Sequence, residues 1–198
     1  RLKGVTEKFS FLFEKVVIYW LQFLDGKEWL CMRLVPLWEA DEERAYDLQM
    51  SFLPEENGFV NAACGLAREE FGAYVQRRKG WSQGEGLPEG YVPDTVYVLE
   101  NDDGDYVGLV NLRHRLNDAL RQGAGHIGYG IRKEYRGRGY ATAALALALK
   151  EAWKVVPEEE IYLSVHKDNP ASLKVQLRNG ARVDHEDGVE YYTRIPRP

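Results

Sequence analysis

His126-Ile-Gly-Tyr-Gly-Ile-Arg-Lys-Glu-Tyr-Arg-Gly-Arg-Gly-Tyr-Ala141 reads as a short apolar strand, a basic glycine-containing turn and the start of a helix. The strand ends at Ile131, and the turn runs directly into an alanine- and leucine-rich segment. The first turn of a helix carries N–H groups without intrahelical partners, and the positive end of the helix dipole lies there. A glycine-rich turn at that point is a ready anion site. Arg132, Lys133, Arg136 and Arg138 put four positive charges within seven residues, in a chain whose net charge is -5. Local charge against the global trend points to a phosphate-bearing ligand.

The rest of the composition is that of a soluble globular protein. The 198 residues suffice for one domain with a real core. Hydrophobic content of 44% and charged content of 29% are ordinary. With a pI near 5.5 and no long basic face, nucleic acid is not an expected partner. Cys31 and Cys64 fit no metal or redox spacing, so no metal is expected and the reading is of a reducing, cytoplasmic compartment. Phe9 to Leu24 is apolar and aromatic, but its longest unbroken run, Val16–Leu21, is too short to span a bilayer, and no membrane is expected. No small-residue cleavage site follows it. Residues 1–31 are read either as an extension outside the core domain or as an amphipathic helix that packs on the domain or a partner. The domain itself is placed at 32–198.

Along that domain, Met32 to Trp38 reads as a strand. Asp41 to Phe52 places Ala45, Leu48 and Phe52 on one helical face, and Ala62 to Arg78 places Leu66, Phe71 and Tyr74/Val75 on a second stripe. Gly80 to Pro93 reads as a long loop around Trp81 and Tyr91. Thr95–Leu99 and Tyr106–Leu112 flank the turn Asn101-Asp-Asp-Gly-Asp105, a hairpin pattern. His126 to Ile131 is a further strand. Tyr140 to Trp153, with Leu145, Leu149 and Trp153 on one side, is a strong helix. Ile161 to Val165 is a strand, and Asp168 or Asn169 caps a helix beginning at Pro170 and ending at Asn179-Gly180. Short strands at about 181–185 and 189–195 close the chain. The expected fold is α/β: one mixed, mostly antiparallel sheet of about six or seven strands flanked by about four helices.

Three phosphate loops compete for the glycine signal. A P-loop needs Lys-Ser or Lys-Thr after its second glycine, and Tyr140 follows Gly139 instead. A dinucleotide fingerprint needs a third glycine where Thr142 stands, and an acidic residue where the strand at 161–165 ends in His166. Arg136-x-x-Gly139-x-Ala141 resembles the acetyl-CoA loop of the GNAT acetyltransferase superfamily. The resemblance runs from about Met32 to Ile195. It includes the two early helices, the hairpin, the Asn169-x-x-Ser172 element and Gly180, eleven residues after Asn169. Gly125–Ile131 together with Leu112-Arg-His-Arg-Leu116 is similar to a bacterial subgroup known only as predicted acetyltransferases.

The resemblance implies a single GNAT-like domain that uses acetyl-CoA as co-substrate. Main-chain N–H groups of Arg136, Gly137, Arg138, Gly139, Tyr140 and Ala141 would bind the pyrophosphate, with the Thr142 hydroxyl beside them. Backbone near Ile131 would bond the pantetheine arm and supply an oxyanion donor, and Asn169 and Ser172 would contact its other side. Arg136 and Lys133 are the expected partners of the 3′-phosphate. The glycines have a direct reason: side chains at 137 and 139 would block close backbone approach to phosphate oxygens.

Acetyl transfer requires a neutral amine, and deprotonating a lysine-like amine at pH 7 costs roughly 4–5 kcal/mol. A base is the natural answer. Many family members have a glutamate on the central strand where this chain has His126, so the imidazole is read as either the base or a hydrogen-bonding group on the sheet. The family's frequent acid, a tyrosine seven residues after the asparagine, is Gln176 here, which leaves Tyr129, Ser172 or solvent for that role. Arg113 and Arg115 are expected on one strand face near the acceptor, with His114 on the other. Trp81 and Tyr91 either cover the acceptor or anchor their loop. Asp41–Glu43, Glu55-Glu56 and Glu158–Glu160 read as solvated acidic faces. The expected activity is N-acetylation of a small-molecule or peptide amine. The alternative is a non-catalytic acyl-CoA-binding module of the same fold. The partners considered are that acceptor and a second copy of the chain in a homodimer.

Overall fold

The computed structural model describes residues 19–21 and 30–198, with side chains from Met32 onward. The elements in chain order are β1 (Tyr19–Leu21), β2 (Leu30–Pro36), α1 (Glu42–Met50), β3 (Glu55–Glu56), β4 (Phe59–Val60) and α2 (Arg68–Ser82). There follow β5 (Asp94–Glu100), β6 (Tyr106–Arg113), α3 (Asp118–Arg121), β7 (Ile127–Ile131) and α4 (Tyr140–Val155). The chain closes with β8 (Glu160–His166), α5 (Pro170–Arg178), β9 (Arg182–Glu186) and β10 (Glu190–Pro196). Apart from the short β1 segment, the apolar stretch Phe9–Leu24 lies outside the described residues. Tyr19–Leu21 pairs with Leu30–Met32 in antiparallel register.

The fold is α/β, and its strands form antiparallel ladders. They divide into a five-stranded sheet, ordered β1-β2-β5-β6-β7, a three-stranded sheet, ordered β8-β10-β9, and the small β3-β4 hairpin. The sequence pattern gave one sheet, because periodicity reports strands and not where neighbouring strands part. Here the two residues that lead into β7 meet the middle of β8. Gly125 bridges Leu163. His126 donates its main-chain N–H to the Tyr162 carbonyl at 2.7 Å. Beyond that point β7 and β8 carry no shared ladder, and a cleft opens between them.

Two apolar cores hold the layers. The alanines of α4 let the helix lie close to the sheet. Ala143, Ala144, Leu145 and Ala148 are fully buried there against Val107, Val110, Leu112 and Ile127. Burying a leucine of this kind contributes about 1.5–3 kcal/mol. On the other face, Ala45 and Leu48 of α1 join Phe71, Tyr74 and Val75 of α2 over Val96, Val98 and Leu109. The N-cap of α1 is Asp41, whose carboxylate accepts the Arg44 N–H.

Two boundaries differ from the sequence pattern. The second helix begins at Arg68 and continues through Trp81, so the loop runs only from Gln83 to Pro93. Glu70 fixes that start by accepting the Ala67 N–H. The hairpin of β3 and β4 and the single turn of α3 were unread, being too short to show a period.

Candidate active site

The turn after β7 is built for close approach. Gly137 and Gly139 hold φ of 77° and 90°, conformations in which a side chain is strained. Gly139 caps α4 with no side-chain hydrogen bond. The N–H groups of Tyr140, Ala141 and Thr142 belong to the first helical turn and have no intrahelical partners. They face a cavity of about 490 Å³ between β7 and the N-terminus of α5, lined in part by Tyr129, Ile131, Gly137, Gly139, Asn169 and Ser172. At a Cβ built on Gly137, nothing lies within 4 Å. The cavity walls also carry Arg136, Lys174 and Arg178 against one carboxylate, Glu56. A cleft with unused N–H donors and a cationic surplus fits a diphosphate ligand with an extended arm.

Most residues expected at this cleft are there. Asn169 caps α5 by accepting the Ser172 N–H at 3.1 Å. The Tyr129 phenol lies 2.7 Å from the Ser172 hydroxyl, across the cleft between strand and helix. Burial pushes the Tyr129 pKa up to about 12, against the opposing effect of its hydrogen bonds to Ser172 and Gln176. Thr142 lines the cavity and Ala141 packs beside it. Tyr140 is buried, with its hydroxyl 3.5 Å from the Asn101 amide nitrogen. Lys133 and Arg138 are exposed outside the cavity, Arg138 over the Tyr135 ring.

Arg136 is already engaged. Its Nε donates to the Ile131 carbonyl at 2.8 Å, and its two terminal nitrogens grip the Glu56 carboxylate at 2.9 and 2.6 Å. Glu56 therefore leaves the solvated face expected for it and becomes the counter-ion of Arg136 in the turn after β7. Its hydrogen bond to Arg136 holds its pKa below the ordinary carboxylate value. Replacing Glu56 by glutamine removes both a competitor for Arg136 and a negative charge beside the ligand. Acetyl-CoA affinity measured by calorimetry is then expected to rise about 3–10-fold, roughly the free energy of one partly exposed ion pair. An unchanged or weakened affinity would show that Arg136 does not meet the ligand.

His126 is placed away from this chemistry. It is completely buried and lines neither this cavity nor the one described below. Its Nδ1 accepts the Tyr162 N–H at 3.0 Å, and Nε2 lies 3.4 Å from Glu158. With its acceptor nitrogen occupied, it has no lone pair to offer an amine. Of the two readings of His126, this geometry favours the hydrogen-bonding group on the sheet, where the residue clasps the two sheets together. Burial lowers its pKa, with Glu158 opposing. The folded state therefore binds the proton less well than the unfolded chain, whose imidazole titrates near ~6.5. Stability from this group is complete above that pH and is lost as pH falls through the lower folded value. Melting curves from pH 8 to 5 should show a smaller acid-induced loss for His126→Gln than for the native chain. Equal losses would exclude His126 as the source.

A second cavity, about 370 Å³, lies on the α1/α2 face of the five-stranded sheet. Phe59 lines both cavities. Arg78 and Asp94 make a buried ion pair at its edge. Arg113 and Tyr91 line it, while Arg115 is exposed beyond the end of β6 and is not among the lining residues. The expected alternation fails for Arg115 because the strand ends at Arg113. Trp81 also stands outside the lining. Its indole N–H donates to the Gly86 carbonyl, its ring lies 5.6 Å from Tyr91, and Arg78 covers it. Trp81 anchors the loop, and Tyr91 is the loop residue that reaches the cavity.

The family model for the acetyltransferase (GNAT) domain matches residues 32–182. The chain belongs to the GNAT acetyltransferase family. Solved structures of similar fold include Mycobacterium smegmatis RimJ in complex with CoA-disulfide, at 22% identity and a TM-score of 0.57 over 85% of this chain and 82% of that one. Spermidine N-acetyltransferase from Vibrio cholerae, in complex with CoA and spermine, matches at 18% identity and 0.54 over 84% and 95%. Campylobacter jejuni N-acetyltransferase PseH, in complex with acetyl coenzyme A, matches at 12% identity and 0.52 over 84% and 99%.

Within the GNAT fold this chain has its own arrangement of the polar groups near the cleft. Gln176 occupies the helical position where a tyrosine is frequent. It is buried, with its amide donating to the Ser164 carbonyl and its oxygen accepting the Thr193 hydroxyl. It ties α5 to the three-stranded sheet. Tyr129 of β7 places its phenol in the cleft instead, against the Ser172 hydroxyl of α5. Sequence reading missed Glu56, Phe59, Lys174 and Arg178. Lys174 and Arg178 are four apart on α5 and so share a face, a signal that could have found them. Among the described residues no group of three His, Cys, Asp or Glu side chains is placed to hold a metal, and no helix is long and apolar enough to cross a membrane.

Proposed function

We propose that this GNAT domain moves an acetyl group from acetyl-CoA to a primary amine by direct attack, with no acetylated enzyme intermediate. The observation that carries this reading is the pair of cavities that share Phe59 in their lining: one with unused N–H donors and a cationic surplus, the other lined by Arg78, Asp94, Asn111 and Arg113. Loop N–H groups from Gly137 to Thr142 hold the pyrophosphate, and Lys174 and Arg178 add charge. The β7 backbone at Gly130 and Ile131 lies along the arm of the co-substrate. The amine nitrogen attacks the thioester carbonyl carbon from the second cavity, the C–S bond breaks, and the amine's proton passes to water. Tyr129, protonated at neutral pH, donates a hydrogen bond to the departing sulfur. Complexes of fold relatives with CoA and with acetyl coenzyme A support the choice of donor.

Gln176 in the frequent tyrosine position favours a second reading, a module that binds acyl-CoA without turning it over. One experiment separates the two. The domain is titrated with acetyl-CoA by calorimetry, and thiol release is followed with a panel of amines. Binding with amine-dependent thiol release supports the transferase. Binding with no release for any amine supports the module, and absence of binding removes both.

A further inference from the structure

The second cavity carries a charge pattern that its own side chains do not complete. The charged residues in its lining are two arginines and one carboxylate. Asp94 pairs with Arg78 through Oδ2, at 2.5 Å; it stands opposite Arg113 in the β5–β6 ladder, and its buried Oδ1 accepts no hydrogen bond. Arg113 donates one hydrogen bond, to the Gly125 carbonyl at 3.0 Å, and it has no carboxylate within ion-pair distance among the described residues. A guanidinium has five N–H donors, so most of its donor capacity remains unused. It is also withdrawn from water, which lowers its pKa, and Asp94 only partly offsets this. A half-buried arginine in that state fits an anionic group brought by a ligand.

A complementary vacancy lies two residues back on the same strand face. Asn111 Oδ1 is buried and accepts no hydrogen bond. Residues two apart on a strand point the same way, about 6.6 Å apart. Asn111 is opposite Gly128 on β7, and a Cβ built on Gly128 would meet nothing within 4 Å. The next residue on that face, Gly130, lies against Phe52 and Phe59, which line the first cavity, and Phe59 lines the second as well. Proceeding outward from Phe59, the cavity lining offers an acceptor oxygen at Asn111 and a cation at Arg113, with Gly128 leaving space opposite Asn111 on the neighbouring strand.

Resting on the transferase reading, we propose that the acceptor is a small amine that also carries a carboxylate a few bonds away. Asn111 Oδ1 accepts an N–H of the amine and positions it toward the thioester. Arg113 receives the carboxylate and sets the register. A polyamine, which carries only positive charge, meets Arg113 as a like charge and is disfavoured.

The test supplies acetyl-CoA and the complete chain with glycine, β-alanine and γ-aminobutyrate, with their carboxamides, with putrescine and spermidine, and with aminoethyl phosphate. The expected kcat/KM for the best amino carboxylate exceeds that of its carboxamide by at least tenfold. Arg113→Gln should abolish this ratio through KM, and Arg113→Lys should retain part of it. Acetyl-CoA affinity, measured by calorimetry, should be unchanged in both variants, which shows that they fold. Equal or better turnover of carboxamides or polyamines overturns the proposal while leaving the transferase reading intact. So does a preference for the phosphate, or an unaltered ratio in Arg113→Gln. If acetyl-CoA binds but no amine is acetylated, the transferase reading fails. The proposal is then decided by titrating the amino carboxylates into CoA-loaded protein, where binding insensitive to Arg113→Gln overturns it.

Discussion

Gly139→Glu should weaken acetyl-CoA binding by more than 100-fold, about 2.7 kcal/mol, while leaving the domain folded. Two effects combine. Gly139 sits at φ of 90°, where an L side chain costs about 1–2 kcal/mol. The new carboxylate would also stand at the N-terminus of α4, among the N–H groups that otherwise await phosphate. The helix dipole that attracts a phosphate attracts this carboxylate equally well, so the variant carries its own competitor. Gly139→Asn separates the two effects, because asparagine tolerates the left-handed conformation and adds no charge. It should lose about tenfold or less. Calorimetry and thermal melting check both variants. A glutamate variant that binds within tenfold of the native chain would show that the turn is not the phosphate cradle.

Gly125→Ala should destabilise the protein by about 3 kcal/mol or more, placing it among the severe single substitutions. At φ of +65° any side chain is strained, and a Cβ there would overlap the main-chain carbonyl of Tyr162, with the Leu163 nitrogen 2.9 Å away. Neither obstacle is a flexible side chain that can turn aside. The substitution must push β8 off β7 at the point where the two sheets are joined. For a domain of this size the melting temperature should fall by roughly 6–12 °C. Acetyl-CoA affinity should fall with it, since the same junction sets the width of the cleft. A loss below about 1 kcal/mol would mean that the sheets tolerate separation there.

These two glycines mark the boundary of what the sequence discloses. Gly139 was legible because its meaning is local: strand, turn and helix follow one another within a few residues, and each has its own pattern. The helix at 140–155, the hairpin at 94–113 and the cap at Asn169 were legible for the same reason. Gly125 was not, because the carbonyl it must clear belongs to Tyr162, far along the chain. Arg136 and Glu56 are 80 residues apart, and nothing in either segment names the other. His126 shows the same limit in another form. Its position at the head of a strand suggested access to the reaction, but it depends on Tyr162 and Glu158 whether an imidazole there faces a cleft or a core. Trp81 and Arg115 were misplaced because helix and strand ends are set by capping and tertiary contacts more than by periodicity.

The grip of Glu56 on Arg136 also bears on which anions the cleft admits. A lone phosphate or sulfate entering the turn must compete with a bidentate carboxylate that is already in place and has no translational freedom to lose. A ligand that touches the loop, the strand and α5 at once gains enough from its other contacts to displace it. The internal ion pair thus acts as an affinity threshold. It discounts small anions that offer a single contact and favours long, multiply anchored ones.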